Sequence, residues 1–156
     1  MLRSCLRWMI LGSMVGALFA CATIMDAPER FLVVEEGGDR IKAITPEESK
    51  LWLRDFADGD KGGLAFWRDA LKADLVDNRG YVVVGEGAAT DSAGTPGHEF
   101  ILESTVNGRT VRELLALFVY DGSFADTIRV VEYVADKETF EKEVAAVRAS
   151  LNTIRP

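Results

Sequence analysis

The chain has 156 residues, 48% hydrophobic and 28% charged, a composition that fits one globular domain and argues against a disordered or collagenous protein. Its formal net charge of −7 argues against a nucleic-acid partner, which would need a basic surface to neutralise phosphates. The charge is unevenly spread: residues 1–20 hold Arg3 and Arg7 and no acid, so the remainder carries 16 basic against 25 acidic side chains, a balance of −9.

The first segment predicts export. Arg3 and Arg7 form a positive flank, and Trp8–Ala20 carries no charge, the build of a secretory signal peptide. Uncharged residues continue to Met25, so an uncleaved anchor at the short end of membrane-spanning length stays open. Leu18-Phe19-Ala20-Cys21 resembles the lipobox of bacterial lipoproteins, with a small residue before the cut and a thiol to take the lipid; Phe19 is bulkier than usual. The resemblance implies cleavage after Ala20, lipidation of Cys21 and membrane attachment through that lipid. Ala22 stands where such lipoproteins carry aspartate for inner-membrane retention, which implies the outer membrane, with the domain facing the periplasm. Cys5 would leave with the signal and Cys21 would be acylated, so no disulfide staples the mature chain and an apolar core must hold it. The expected division is a signal over residues 1–20, a lipidated cysteine and tether over 21–30, and one domain over 31–156.

In chain order, Phe31–Glu35 is β-branched and aromatic, Gly37-Gly38-Asp39 is a turn, and Arg40–Ile44 returns as a second strand. Thr45-Pro46-Glu47-Glu48 has the form of a helix start, but Lys50–Phe56 alternates with period two, so a strand is preferred to a helix there. After the loop at 58–63, Leu64, Trp67, Leu71 and Leu75 line one helical face that ends near Asn78. Four strands follow, at Tyr81–Val84, His98–Val106, Arg109–Tyr120 and Thr127–Val134, with Asn107-Gly108 as a hairpin turn. Leu114–Tyr120 is apolar without alternation, as in a strand covered on both faces. A last helix has Asp136 as cap and Phe140, Val144, Val147 and Leu151 on its buried side.

This order predicts an α+β domain, mainly an antiparallel sheet with a mid-chain and a C-terminal helix. With Gly80-Tyr81 opening the meander, the turn Asn107-Gly108-Arg109 and the final helix pattern Phe140, Val144, Val147, Leu151, the chain resembles the PsbP-like superfamily. That resemblance covers roughly residues 31–154 and implies an α/β/α sandwich, a fold whose members include bacterial lipoproteins.

Candidates for chemistry are few. His98, in Gly94-Thr95-Pro96-Gly97-His98-Glu99, is the one imidazole; it has the right group for a general base but no accompanying nucleophile signature, and one histidine without a free cysteine cannot build a zinc site. Asp58, Asp60, Gly63 and Asp69 fall at positions 1, 3, 6 and 12 of a calcium-loop spacing, although Gly62 offers no ligand at position 5 and Asp69 is shorter than the usual glutamate. Gly85-Glu86-Gly87 lacks the third glycine of a dinucleotide fingerprint and reads as a loop. Trp52, Phe66 and Trp67 could stack a ligand, although aromatics at such spacings usually belong to a core. The expectation is a non-enzymatic, lipid-anchored envelope protein that binds another envelope protein or stabilises an assembly at the membrane surface, without a cofactor or nucleic acid. The alternative is a module for a small ligand or calcium.

Overall fold

The computed structural model describes residues 24–156; the expected signal segment and Cys21 lie outside them. The elements are β1 (Leu32–Gly37), β2 (Arg40–Ile44), β3 (Lys50–Asp58), α1 (Gly63–Ala73) running into a π turn (Asp74–Asn78), β4 (Val82–Thr90), β5 (Pro96–Val106), β6 (Arg109–Tyr120), β7 (Asp126–Asp136) and α2 (Lys137–Leu151). They form one seven-stranded sheet in the order β1-β2-β3-β7-β6-β5-β4, and every neighbouring pair is antiparallel. This is an α+β fold, as the element order implies, and Lys50–Asp58 is a strand.

α1 carries the chain from β3, inside the sheet, to β4 at its far edge. The meander then runs back until β7 pairs with β3. Alternation along β6 and β7 divides the core. Leu114, Ala116, Phe118, Val131 and Tyr133 point to the side of α2, with Phe140, Val147 and Leu151 packed on them. Phe100, Leu102 and Leu115 point to the side of α1, where Leu75, Leu71 and Tyr81 meet them. Residues 113–118 of β6 are consequently buried in succession, as expected of a strand covered on both faces. Asp136 caps α2 by accepting from the backbone N–H groups of Glu138 and Thr139. Asn107 and Gly108 both have positive φ, 51° and 76°, the requirement of the tight hairpin turn.

Three expectations are corrected. Residues 24–30 are not a free tether. Met25 is 2% exposed within the α2-side core, Arg155 N–H donates to the Ile24 carbonyl, and Arg30 pairs with Glu47 at 2.6 Å. The segment passes from one end of the sheet to the other and covers apolar surface that α2 does not reach, which an extended polar linker could not do. Gly85-Glu86-Gly87 is not a loop but the middle of β4, in register with Ile101, Phe100 and Glu99 of β5; pairing to a strongly β-forming neighbour overrides weak local propensity. The face of α1 is also shallower than its periodicity suggests: α1 itself has no fully buried residue, and Leu75 is buried only in the π turn that follows it.

Candidate functional site

The two faces of the sheet are unequally covered. On the α2 side, the helix and residues 24–31 together span it. On the other side, α1 lies over β5 and β6, which leaves β1, β2 and β3 without a helical layer. Register shows which side chains this exposes. One transverse row reads Glu35, Lys42, Trp52, Glu132, Leu115, Phe100, Glu86 from edge to edge. The next pairs Arg40 with Arg54 and Arg54 with Val130, and Phe56 lies opposite Ile128. Period-two alternation therefore sends Leu51 and Leu53 into the core and Trp52, Arg54 and Phe56 onto the open face.

This surface forms a shallow concavity of about 410 Å³ whose lining mixes Arg40, Lys42 and Arg54 with Glu35, Asp39 and Asp55 around Ile41, Trp52 and Phe56. Trp52 is partly exposed and Phe56 is 48% exposed. The Arg54 guanidinium lies 5.8 Å from the centre of the Phe56 ring and pairs with Glu132 at 2.7 Å, an arrangement that keeps its plane available over the aromatic surface. Arg40 is held by Asp39 at 3.3 Å and Glu35 at 3.6 Å, and its guanidinium draws the Asp39 carboxyl below the usual carboxylate range. Lys42 and Lys50 form no ion pair with any of the described residues. Three cations and three carboxylates thus surround a partly exposed tryptophan, and Lys42 is the cation among them that no described carboxylate neutralises.

Beside this face, on β6, sits Glu113, 8% exposed. Burial, reinforced by the Glu132 carboxylate, pushes its carboxyl up to about 7, against hydrogen bonding from the Tyr81 hydroxyl. Nothing in the sequence separates Glu113 from its many acidic fellows; its burial depends on tertiary packing alone.

The residues singled out from sequence are scattered. His98 lies on the α1 side, with its ring edge-on to Phe100 at 4.7 Å and its Nε2 3.4 Å from Glu86 Oε2. Lys72 also binds Glu86 and holds that carboxyl below its usual range, so Glu86 is a weak proton acceptor for orienting the imidazole. In the 58–69 loop, Asp58 accepts from Asp60 N–H at 3.0 Å, Gly62 N–H at 2.8 Å and Trp67 Nε1–H at 2.7 Å. These donors, led by Gly62, keep its carboxyl low and brace the loop onto α1. Asp60 is exposed, and Asp69 pairs with Arg68 at 2.8 Å. Among the described residues, no three His, Cys, Asp or Glu side chains are grouped so as to hold a metal ion, and no helix is long and apolar enough to cross a membrane. Of the three aromatics considered as a stacking surface, Trp52 is on the open face, whereas Phe66 and Trp67 pack edge to face on α1, 5.3 Å apart. The alternation in Lys50–Phe56 set Trp52 and Arg54 on the side opposite Leu51 and Leu53; that Phe56 joins them on a side without a cover was not in it.

No protein-family model matches the sequence, and no curated protein matches it. Solved structures do. LpqN of Mycobacterium tuberculosis, described as involved in cell envelope biogenesis, superposes with a TM-score of 0.65 at 17% identity, covering 85% of this chain and 82% of that one. PA94 of Pseudomonas aeruginosa, a protein of unknown function, gives 0.54 at 11% identity over 86% of this chain and 84% of its own. The Ran-binding protein Mog1p of Saccharomyces cerevisiae gives 0.53 at 15% identity over 88% and 89%. At such identities the likeness is one of fold: this chain shares its α+β architecture with LpqN, PA94 and Mog1p.

Proposed function

We propose that this protein is a non-enzymatic envelope lipoprotein, held by lipid on Cys21 in the outer membrane with its domain in the periplasm, that binds a carboxylate-rich segment of another envelope protein. The observation that carries the binding reading is the uncovered half of the sheet, where Trp52 and Phe56 lie among Arg40, Lys42 and Arg54 and their acidic neighbours, with Lys42 left free to meet a partner's carboxylate. Exposed aromatic and arginine side chains at the centre of a concave surface are the usual energetic anchors of a protein interface. The anchoring reading rests on the sequence around Cys21 and Ala22. LpqN's involvement in envelope biogenesis and Mog1p's binding of Ran lend it context, since both use this fold. A small-ligand or calcium role has less support, because the Asp58 carboxylate is already engaged by three donors.

Two experiments test the proposal. Cys21→Ser should carry no lipid by mass spectrometry and should move the protein from the membrane fraction to the soluble periplasmic fraction; continued membrane retention would overturn the anchor. Trp52→Ala should weaken capture of the partner from the protein's own envelope by at least about ten-fold, as for a central interface residue. Lys42→Glu should weaken the same capture and make it insensitive to salt. Because Trp52 is outside both buried clusters, the thermal midpoint should stay close to that of the parent. Capture that is unchanged by both substitutions would remove the open face from the reading.

A further inference from the structure

The fold brings several chain ends and turns to one end of the sheet. Asp58 pairs with Asp126, which puts the β3–α1 loop beside the β6–β7 turn. Ser92, in the β4–β5 turn, donates to the Ile154 carbonyl from both its N–H, at 3.0 Å, and its hydroxyl, at 2.6 Å. Arg155 N–H in turn donates to Ile24 at 2.9 Å. The first described residue therefore enters at the same end as the β6–β7 turn. The β5–β6 hairpin, with Val106, and the β2–β3 turn occupy the opposite end.

Two properties set the entry end apart. Phe124, in the β6–β7 turn, is 96% exposed, the highest exposure of any large apolar side chain described. Its turn is firmly held. Gly122 N–H donates to Asp126 Oδ1 at 3.1 Å, Lys61 Nζ donates to the Gly122 carbonyl at 2.6 Å, and a Cβ at Gly122 would lie 1.8 Å from the Ala125 carbonyl oxygen. Phe124 is thus presented outward by a built turn. Phe66, 56% exposed in the first turn of α1, belongs to the same end.

The second property is reach. Only Ala22 and Thr23 separate Cys21 from Ile24, and three extended steps span at most about 11 Å. Because residues 24–30 are docked on the domain, no long linker lets it turn away from the surface that holds its lipid.

From these positions we infer that the β6–β7 turn is a membrane contact, with Phe124 inserted into the interfacial layer of the bilayer that carries the lipid on Cys21. The inference rests on the lipid-anchor reading above. Aromatic rings favour the interface, and a side chain that an anchor holds within reach inserts without a further association cost. The membrane-facing end is then fixed, and the open face of β1, β2 and β3 stands sideways to the bilayer, free to take a partner.

The test uses the full-length acylated chain in zwitterionic phosphatidylcholine vesicles with brominated acyl chains, which avoid repelling the exposed Asp60 and Asp121. Phe124→Trp should add fluorescence that shifts to the blue and is quenched by the bromines. Val106→Trp, at the opposite end and 52% exposed in the parent, should add fluorescence that is neither shifted nor quenched. Retention of the parent chain on the vesicles reads the anchor independently. If the chain is retained but the emission added by F124W is unquenched, or V106W is quenched equally, the membrane contact is overturned and the anchor stands. A chain with no lipid on Cys21 overturns both.

Discussion

Replacing Arg129 by methionine is expected to destabilise the domain by roughly 3–5 kcal/mol, the cost of breaking a buried ion pair from one side. Arg129 is 5% exposed and lies directly opposite Asp55 across the β3–β7 pair. Its Nε and Nη2 both reach the Asp55 carboxylate at 2.7 Å. Its Nη1 donates to the Arg155 carbonyl, and its guanidinium lies 5.0 Å from the centre of the Tyr120 ring. One side chain therefore joins the middle of the sheet to the C-terminal segment, which in turn holds Ile24. Methionine fills much of the volume but strands the Asp55 charge and leaves a carbonyl unpaired. Urea unfolding should show the loss in the midpoint. Asp55→Leu combined with Arg129→Met should be less destabilised than Arg129→Met alone, because no orphaned charge remains. A double variant worse than the single one would mean that the pair's own attraction, not the stranded carboxylate, dominates.

Glu113→Gln should stabilise the domain at pH 8 by up to about 3 kcal/mol, the equivalent of a carboxyl shifted from 4.5 to about 7. The sign follows from proton counting. Between those two values the folded chain keeps a proton that the unfolded chain has lost, so this group's contribution to stability falls as pH rises from about 4.5 to about 7 and stays low above it. Glutamine has the same shape and never ionises, so the gain of the variant over the parent should be near zero at pH 4, grow through neutrality and level off by pH 8. Other carboxyls act in the opposite sense: Asp58 and Asp136 are held low by hydrogen bonds and lose stabilisation as pH falls. Taking the variant-minus-parent difference at each pH cancels them. A difference that does not vary with pH would show that the Glu113 carboxyl titrates alike in the folded and the unfolded chain.

Local features were legible where local physics decides. Asp136 could be read as a helix cap because a carboxylate ahead of an apolar helical stripe satisfies free N–H groups. Asn107-Gly108 could be read as a hairpin because few residue pairs accept two consecutive positive φ values. The reading of Gly85-Glu86-Gly87 as a loop failed because β5 supplies the pairing that glycine does not encode. Residues 24–30 were misread for a similar reason: Ile24, Met25 and Ala27 are interrupted by Asp26 and Pro28 and show no periodicity, and only the gap beside α2 gives them a place against the core. The candidate site was half legible. Alternation in Lys50–Phe56 set Trp52 and Arg54 apart from Leu51 and Leu53, but the addition of Phe56 and the exposure of this row depend on α1 crossing to β5 and β6 instead of staying over β3.

By itself the sequence determined the order and kind of the elements, their caps and turns, the two-sided burial of β6, and a basic N-terminal segment ahead of an acidic remainder. These follow from periodicity, φ preference and charge within short windows of chain. The tertiary structure alone decided that β7 lies between β3 and β6, that one face of β1, β2 and β3 stays open, that Glu113 is buried, and that residue 24 enters at the end where Phe124 projects. Those outcomes depend on strands 70 or more residues apart, such as Asp55 and Arg129, pairing by shape and burial, and no local pattern specifies which surfaces remain uncovered when they do.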